Sequence, residues 1–312
     1  MSKLKGLLLT EGLHGMISQV EGLAKALDLD YFHEKIVLNN PWNLVPPSLT
    51  PLKKFVFKNE ISKDYDLIIS CGRKSVVPSI VLKKNSTKKV INIHIQNPKV
   101  SAKNFDFIVV PDHDSIDGAN VLISKGAIHY LTLDEINNKK DYLLNKIEKG
   151  KDVITLILGG PTKYYNYSKE HIIQIFSKIN KQILEKNLQL ILIPSNRTPE
   201  NTIKFAKEYF SKNSLIIDTV DKQAYLSSLS LAKYIIVTCD SSSMISEAAL
   251  TQKPIYVAMI PAVRSDKRFQ KFRNLLESMN IIRKLEDEID TWNYEKLDET
   301  NRIAKEIKEK LF

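Results

Sequence analysis

The sequence predicts an α/β protein made of two Rossmann-like domains in tandem, facing one another across a cleft. Three observations carry this reading. Short, continuously apolar segments alternate with segments of helical period, as the strands of a parallel sheet covered on both faces do. The rhythm runs once through the first 150 residues and restarts, more regularly, after a charged stretch. The 312 residues also exceed what one hydrophobic core usually serves.

In chain order, residues 5–10 read as a strand, followed by a glycine-bearing loop and a helical period through Met16, Val20, Leu23, Ala24 and Leu27. A second strand covers 31–38. Prolines at 41, 46, 47 and 51 mark a long loop before a strand at 66–70. Gly72-Arg73-Lys74-Ser75 opens a short helix, and strands follow at 89–95, 106–110 and 127–131. The charged helical stretch 135–149 closes the first domain, residues 1–149. In the second domain, 150–290, strands at 153–158, 188–193, 215–217, 234–238 and 255–258 alternate with helices at 169–185, 199–210, 222–229 and 242–250. A charged amphipathic helix within residues 291–312 packs back across the domains, onto the N-terminal one.

Composition excludes several classes. Two cysteines, Cys71 and Cys239, support neither a disulfide scaffold nor a Cys-rich zinc module. No apolar run approaches the roughly 18–20 residues that span a bilayer, and the run at 6–9 is too brief for a signal-peptide core. A cytoplasmic protein, peripheral on the inner face of the membrane, is the expectation. The net charge of +10 comes from 46 Lys+Arg against 36 Asp+Glu, of which only seven are Arg. The excess divides evenly between the halves, and no nucleic-acid module is recognisable, so nucleic acid is not expected as a partner.

In parallel sheets ligands sit beyond the carboxyl ends of the strands. After the strand at 234–238, Ser241, Ser242 and Ser243 stand at a helix start, where free N–H groups and the helix dipole favour an anion. Glu247 lies one turn below Ser243 on the same face, placed to accept from ribose hydroxyls. An ordinary serine-capped helix with a surface Glu accounts for the same residues. After the strand at 188–193 come Ser195, Arg197 and Thr198; Arg197 is either a diphosphate clamp or a rim salt bridge. Gly159-Gly160 allows close backbone approach or a tight turn. In the first half, Gly12 and Gly15 flank His14, a general-base candidate, in a loop that lacks the dinucleotide GxGxxG pattern. Pro111-Asp112-His113-Asp114 with His94 offers a weak metal alternative, and no metal is expected. Residues 263–273 concentrate Arg264, Arg268 and Arg273 beside the apolar face of Phe269, Phe272 and Leu276. That is a basic amphipathic helix suited to anionic lipid or an anionic acceptor, or a domain-closing helix with a solvated face.

These motifs, in this order, resemble the mitochondrial-fission family first described in plants, which has many bacterial relatives. The resemblance rests on the glycine-rich entry leading to Gln19, Gly72-Arg73-Lys74-Ser75, His94-Ile95-Gln96-Asn97-Pro98 and Phe105-Asp106 running on to Pro111-Asp112-His113-Asp114. It continues through Gly159-Gly160, Ser195-Asn196-Arg197-Thr198-Pro199, the Asp240–Ala248 stretch, and Arg268-Phe269 with Phe272. It implies a GT-B glycosyltransferase-like fold that grips a nucleotide-sugar in the second domain without metal or cofactor. Ser242, Ser243 and Glu247 would meet phosphate and ribose, and Arg197 would steady the diphosphate. Asn196 stands where relatives are expected to carry a second Arg. Gly12, Gly15, Gln19, Arg73, His94, Asn97 and His113 would line the acceptor side. The implied activity is transfer of a sugar from a nucleotide-sugar donor to a cell-envelope glycolipid or saccharide acceptor. A nucleotide-sugar epimerase or hydrolase, or a non-catalytic membrane-associated adaptor, are the alternatives.

Overall fold

The computed structural model describes residues 3–61, 63–112, 114, 116–210 and 214–311. They form two compact units: one runs to Tyr130 and takes in the segment from Asp298 onward, and the other is Leu131–Leu297.

In the first unit, strands β1 (Lys5–Thr10), β2 (Asp30–Lys35), β3 (Leu67–Cys71), β4 (Ile91–Ile95), β5 (Phe107–Pro111) and β6 (Val121–Ser124) form a parallel sheet of order β2-β1-β3-β4-β5-β6. Helices α1 (His14–Ala26) and α2 (Val76–Lys84) follow β1 and β3. Interior strands such as β3 are buried along their whole length because helices cover both faces. At the edge, β2 reads Asp-Tyr-Phe-His-Glu-Lys and is only half-buried, the composition of an edge that resists further pairing.

Residues 127–131, expected as a strand, instead form a docking seam. Helix α1 lies so close that a Cβ on Gly22 would stand 2.4 Å from the His129 carbonyl oxygen. The last helix, α10 (Glu299–Leu311), closes the seam from the other side. Thr300 Oγ1 accepts from His129 N–H (3.1 Å) and donates to His129 O (2.9 Å), while Glu299 accepts from Lys125 N–H at 2.7 Å. Ile303, Ala304 and Ile307 enter one core with Leu8, Val20, Leu23 and Ile93.

The second unit begins earlier than the sequence suggested. Residues 131–149 pack as two short helices, α3 (Leu133–Asn137) and α4 (Asp141–Leu144), against α7 (Lys222–Leu231). Leu143 is fully buried beside Val153, Ile191 and Ala224, and its N–H donates to Ser227 Oγ at 3.1 Å. Tyr142 donates to Asp221, the N-cap of α7, at 2.7 Å. The chain then builds β7 (Val153–Leu158), α5 (Lys169–Glu185), β8 (Gln189–Pro194), α6 (Glu200–Tyr209), β9 (Ser214–Ile216), α7, β10 (Ala232–Thr238), α8 (Ser242–Ala249), β11 (Ile255–Ala258), α9 (Lys267–Ser278) and β12 (Ile282–Lys284). Its parallel sheet has the order β12-β11-β10-β7-β8-β9, the doubly wound arrangement of nucleotide-binding folds. The three-residue β12 was not legible in the sequence.

Because α10 completes the core of the first unit, Ile303→Ala should cost about 2–4 kcal/mol by the transfer and cavity effect of a fully buried site. Chemical denaturation followed by circular dichroism reads this as a lowered midpoint.

Candidate functional site

In an open parallel sheet the ligand crevice lies where successive crossovers change direction. In the second unit that point falls between β7 and β10. Asp240, two residues past β10, projects a side chain with no exposed surface into it. Arg197 Nη2 pairs with its Oδ2 at 2.7 Å, and the Gly160 N–H approaches the same oxygen at 3.3 Å. The Tyr167 hydroxyl donates to Oδ1 at 2.5 Å. Burial beside this carboxylate holds the Tyr167 phenol well above its usual range, so it remains a donor. The opposite end of the Arg197 fork, Nη1, donates to Gly160 O at 2.8 Å.

Gly159 and Gly160 are glycines for a steric reason. A Cβ at Gly159 would stand 2.1 Å from Asp240 Oδ2, and one at Gly160 would stand 1.9 Å from the Arg197 carbonyl oxygen. Thr198 completes the closure: its hydroxyl is directed at the carbonyls of Leu158 and Gly159 (2.9 and 2.6 Å) and accepts from Ser195 N–H at 2.8 Å. The structure thus gathers Gly159, Gly160, Ser195, Arg197 and Thr198 around Asp240.

Asp240 leads directly into α8. Ser241 caps the helix by accepting from Met244 N–H at 3.3 Å, which leaves Ser242 and Ser243 in its first turn. Glu247 is partly buried in the next turn and accepts from the Tyr225 hydroxyl of α7 at 2.7 Å. Burial pushes its carboxyl up to about 7, opposed by that hydrogen bond and by the Lys222 cation. Glu247 is therefore neither a solvated surface Glu nor a capping residue.

The expected basic patch on α9 does not form as such. Arg273 is buried, with 6% of its side chain exposed: Nη2 pairs with Asp266 at 3.0 Å and Nη1 donates to the Tyr165 hydroxyl at 3.0 Å. Tyr165 in turn donates to Asp266 at 2.5 Å, and Phe269 packs edge-on against Tyr164 and Tyr165. The helical pattern had put Arg273 among the cations of the solvated face, but the acidic partner seven residues earlier draws it inside. Arg264 and Arg268 are exposed.

The first unit has its own switch point, between β1 and β3. There Glu11 accepts from Lys74 N–H at 3.1 Å and pairs with Lys74 Nζ at 3.4 Å. Gly72 adopts φ 93°, and a Cβ there would stand 2.6 Å from Met16 Sδ. His14 is exposed at the first position of α1 and stacks on Tyr130, with ring centroids 6.3 Å apart. Gly12 and Asn97 lie in loops at the same carboxyl edge, Gly15 follows His14 in the first turn of α1, and Gln19 accepts from the Cys71 thiol on α1's inner side. Arg73 is engaged elsewhere, donating to the carbonyls of Val45 (2.9 Å) and Asn43 (2.5 Å). His94 does not line a ligand surface. It is 1% exposed within β4, its Nδ1 lies 2.8 Å from Ser70 Oγ, and burial depresses it to about 3. His113 lies outside the described residues. Among the described residues, no three His, Cys, Asp or Glu side chains converge as metal ligands would, and no helix is long and apolar enough to cross a membrane.

The family model described as mitochondrial fission ELM1 matches residues 14–311. The chain belongs to this family. An uncharacterized protein of Rickettsia prowazekii is 27% identical over 281 residues, covering 78% of this chain and 79% of its own length. The mitochondrial fission protein ELM1 of Arabidopsis thaliana is 20% identical over 274 residues; the match covers 78% of this chain and 64% of the plant protein. Among solved structures, UDP-GlcNAc 2-epimerases of Methanocaldococcus jannaschii (15% identity, TM-score 0.55, 99% and 100% of the two chains) and Neisseria meningitidis (13%, 0.56, 99% of each) share the fold. MurG of Acinetobacter baumannii does so as well (10%, 0.53, 99% of this chain and 90% of that one). The architecture of this ELM1 family member is accordingly GT-B-like.

Sequence reasoning had not singled out Asp240, Tyr167 or Tyr225 as site residues. A carboxylate directly after an apolar strand at the switch point was the available signal for Asp240. The tyrosines gave none, because their partners lie 73 and 22 residues away.

Gly160→Ala should destabilise by about 2–4 kcal/mol through overpacking. Asp240→Asn should cost about 1–3 kcal/mol, because a neutral amide meets the Tyr167, Gly160 and Arg197 donors with a weaker acceptor; both are read from guanidinium unfolding midpoints. A further prediction concerns Glu247, whose ordinary value is 4.5. Its raised value means that the native state holds the proton more tightly than the unfolded chain. Its contribution is therefore fully present below about 4.5 and is lost as the pH rises through about 7. Wild type should lose up to about 3 kcal/mol relative to Glu247→Gln between pH 5 and pH 8. Parallel thermal midpoints of both proteins across that interval would refute this.

Proposed function

We propose that the second unit holds a nucleotide-sugar by its nucleoside diphosphate and that the protein transfers the sugar to a cell-envelope glycolipid or saccharide acceptor. One observation carries the reading: at the switch point of the second sheet, the serine-capped start of α8 stands beside Arg197, with Glu247 one turn below. The N–H groups of the first turn and the helix dipole suit a diphosphate. Arg197 has five N–H donors; only two of its nitrogens are committed to Asp240 and Gly160, and its side chain is 39% exposed. It can therefore keep its structural contacts and still meet an anion. Glu247, ionised above about 7, accepts from the two ribose hydroxyls. The leaving diphosphate is stabilised by these fixed donors, which requires no divalent cation. In the first unit, exposed His14 is the group that takes the acceptor's proton.

The fold shared with a UDP-GlcNAc 2-epimerase bound to UDP-GlcNAc makes UDP-sugars the first donors to test. In isothermal titration, UDP and UDP-sugars should bind with or without EDTA. Glu247→Ala should weaken UDP about tenfold, the loss of hydrogen bonds to a charged acceptor, with inorganic pyrophosphate little affected. Affinity for UDP should rise between pH 6 and pH 8 in wild type, more than in Glu247→Gln. Absence of any nucleotide binding would remove the reading and leave the adaptor role. Turnover of the donor without an acceptor would move the chemistry to epimerisation or hydrolysis.

A further inference from the structure

The loop between β2 and β3 carries the largest concentration of exposed apolar side chains in the first unit. Leu44 is 81% exposed, Leu49 73% and Phe55 58%, with Val37 and Leu52 beside them in sequence and also exposed. Exposed leucines scattered singly need no explanation, but a run of them within one loop does. Its ends are held together: Leu38 bridges Phe57, and Asn39 N–H donates to Val56 O at 2.8 Å. The interior is fixed as well. The Arg73 fork donates to Asn43 and Val45, Thr50 Oγ1 donates to Pro46 O at 2.9 Å, and the Trp42 and Phe55 rings pack 6.1 Å apart. The apolar side chains are thus presented on a preformed loop.

The charge pattern of this segment selects the partner. Between Glu34 and Glu60 there is no Asp or Glu, although the chain carries 36 of them, whereas Lys35, Lys53, Lys54 and Lys58 all fall within it. All four lysines are exposed. Apolar side chains that can enter the headgroup region, flanked by lysines that meet phosphate, match an anionic bilayer surface. We propose that residues 37–58 dock this protein on anionic lipid. The membrane contact expected of α9 is thereby assigned to the other unit. It stands independently of the nucleotide reading, because no nucleotide takes part.

The test is co-sedimentation of the full chain with phosphatidylcholine vesicles containing about 30 mol% phosphatidylglycerol, against phosphatidylcholine alone. Wild type should pellet with the anionic vesicles, weakly with the neutral ones, and less as salt is raised. Leu44→Asp with Leu49→Asp, and separately Lys53→Glu with Lys54→Glu, should each weaken binding by about tenfold or more. Arg264→Glu with Arg268→Glu should retain it. Unchanged thermal midpoints show that the variants are folded, as expected for side chains already in solvent. In a Trp292→Phe background, the emission of Trp42 should shift to the blue on vesicles. Failure of wild type to pellet, or undiminished binding by the loop variants, would overturn the proposal. So would a dimer in light scattering that Leu44→Asp dissolves while vesicles are ignored, since the loop would then serve a second copy of the chain.

Discussion

The carboxyl edge of the second unit's sheet is organised around the desolvated carboxylate of Asp240. A buried carboxylate is tolerated only when its lone pairs are met, and the partners here come from different stretches of chain. Arg197 arrives from the loop after β8, Tyr167 from the segment before α5, and the Gly160 N–H from the end of β7. Meeting the demands of one side chain therefore ties the connections after β7 and β8 to its own. It also forbids side chains at Gly159 and Gly160 and sets where α8 begins. The free N–H groups of α8 are held in place by packing that they do not themselves take part in.

The first unit solves the same topological problem with weaker means. Glu11 and Lys74 join the ends of β1 and β3 across its switch point, but neither side chain is fully buried. An ion pair with access to water constrains its loops less than one without. The contrast matches the division of labour proposed above. A diphosphate needs donors fixed before it arrives, whereas an acceptor can be admitted by a looser rim.

Most strands were legible because burial on both faces writes them as unbroken apolar runs, as in Val153–Leu158. The same logic, applied more strictly, would have read His94 as interior, since it stands between isoleucines in Ile91–Ile95. Residues 131–149 were assigned to the wrong unit because a short amphipathic helix shows that one face is covered but not by what. Tyr142 and Leu143 find their partners 79 and 84 residues downstream. Arg273 was misplaced for a related reason. Helical periodicity ranks faces by average polarity and cannot see that Asp266 neutralises one cation on the inside while the Tyr165 hydroxyl accepts from it. Arg197 lay between two readings, clamp and rim salt bridge; the structure shows a guanidinium held by Asp240 with surface to spare.

The seam that α10 closes has a consequence for synthesis. The core of the first unit joins residues near the start of the chain, such as Leu8 and Val20, to Ile303 and Ile307. The second unit is one uninterrupted segment. On a ribosome the first sheet emerges early but lacks the helix that covers α1 until residues 298–311 have left the exit tunnel. The second unit is one segment ending at Leu297, so all of its residues are made before that helix is. The half translated first is thus the half that matures last, and its uncovered apolar seam is what a chaperone would meet on the nascent chain.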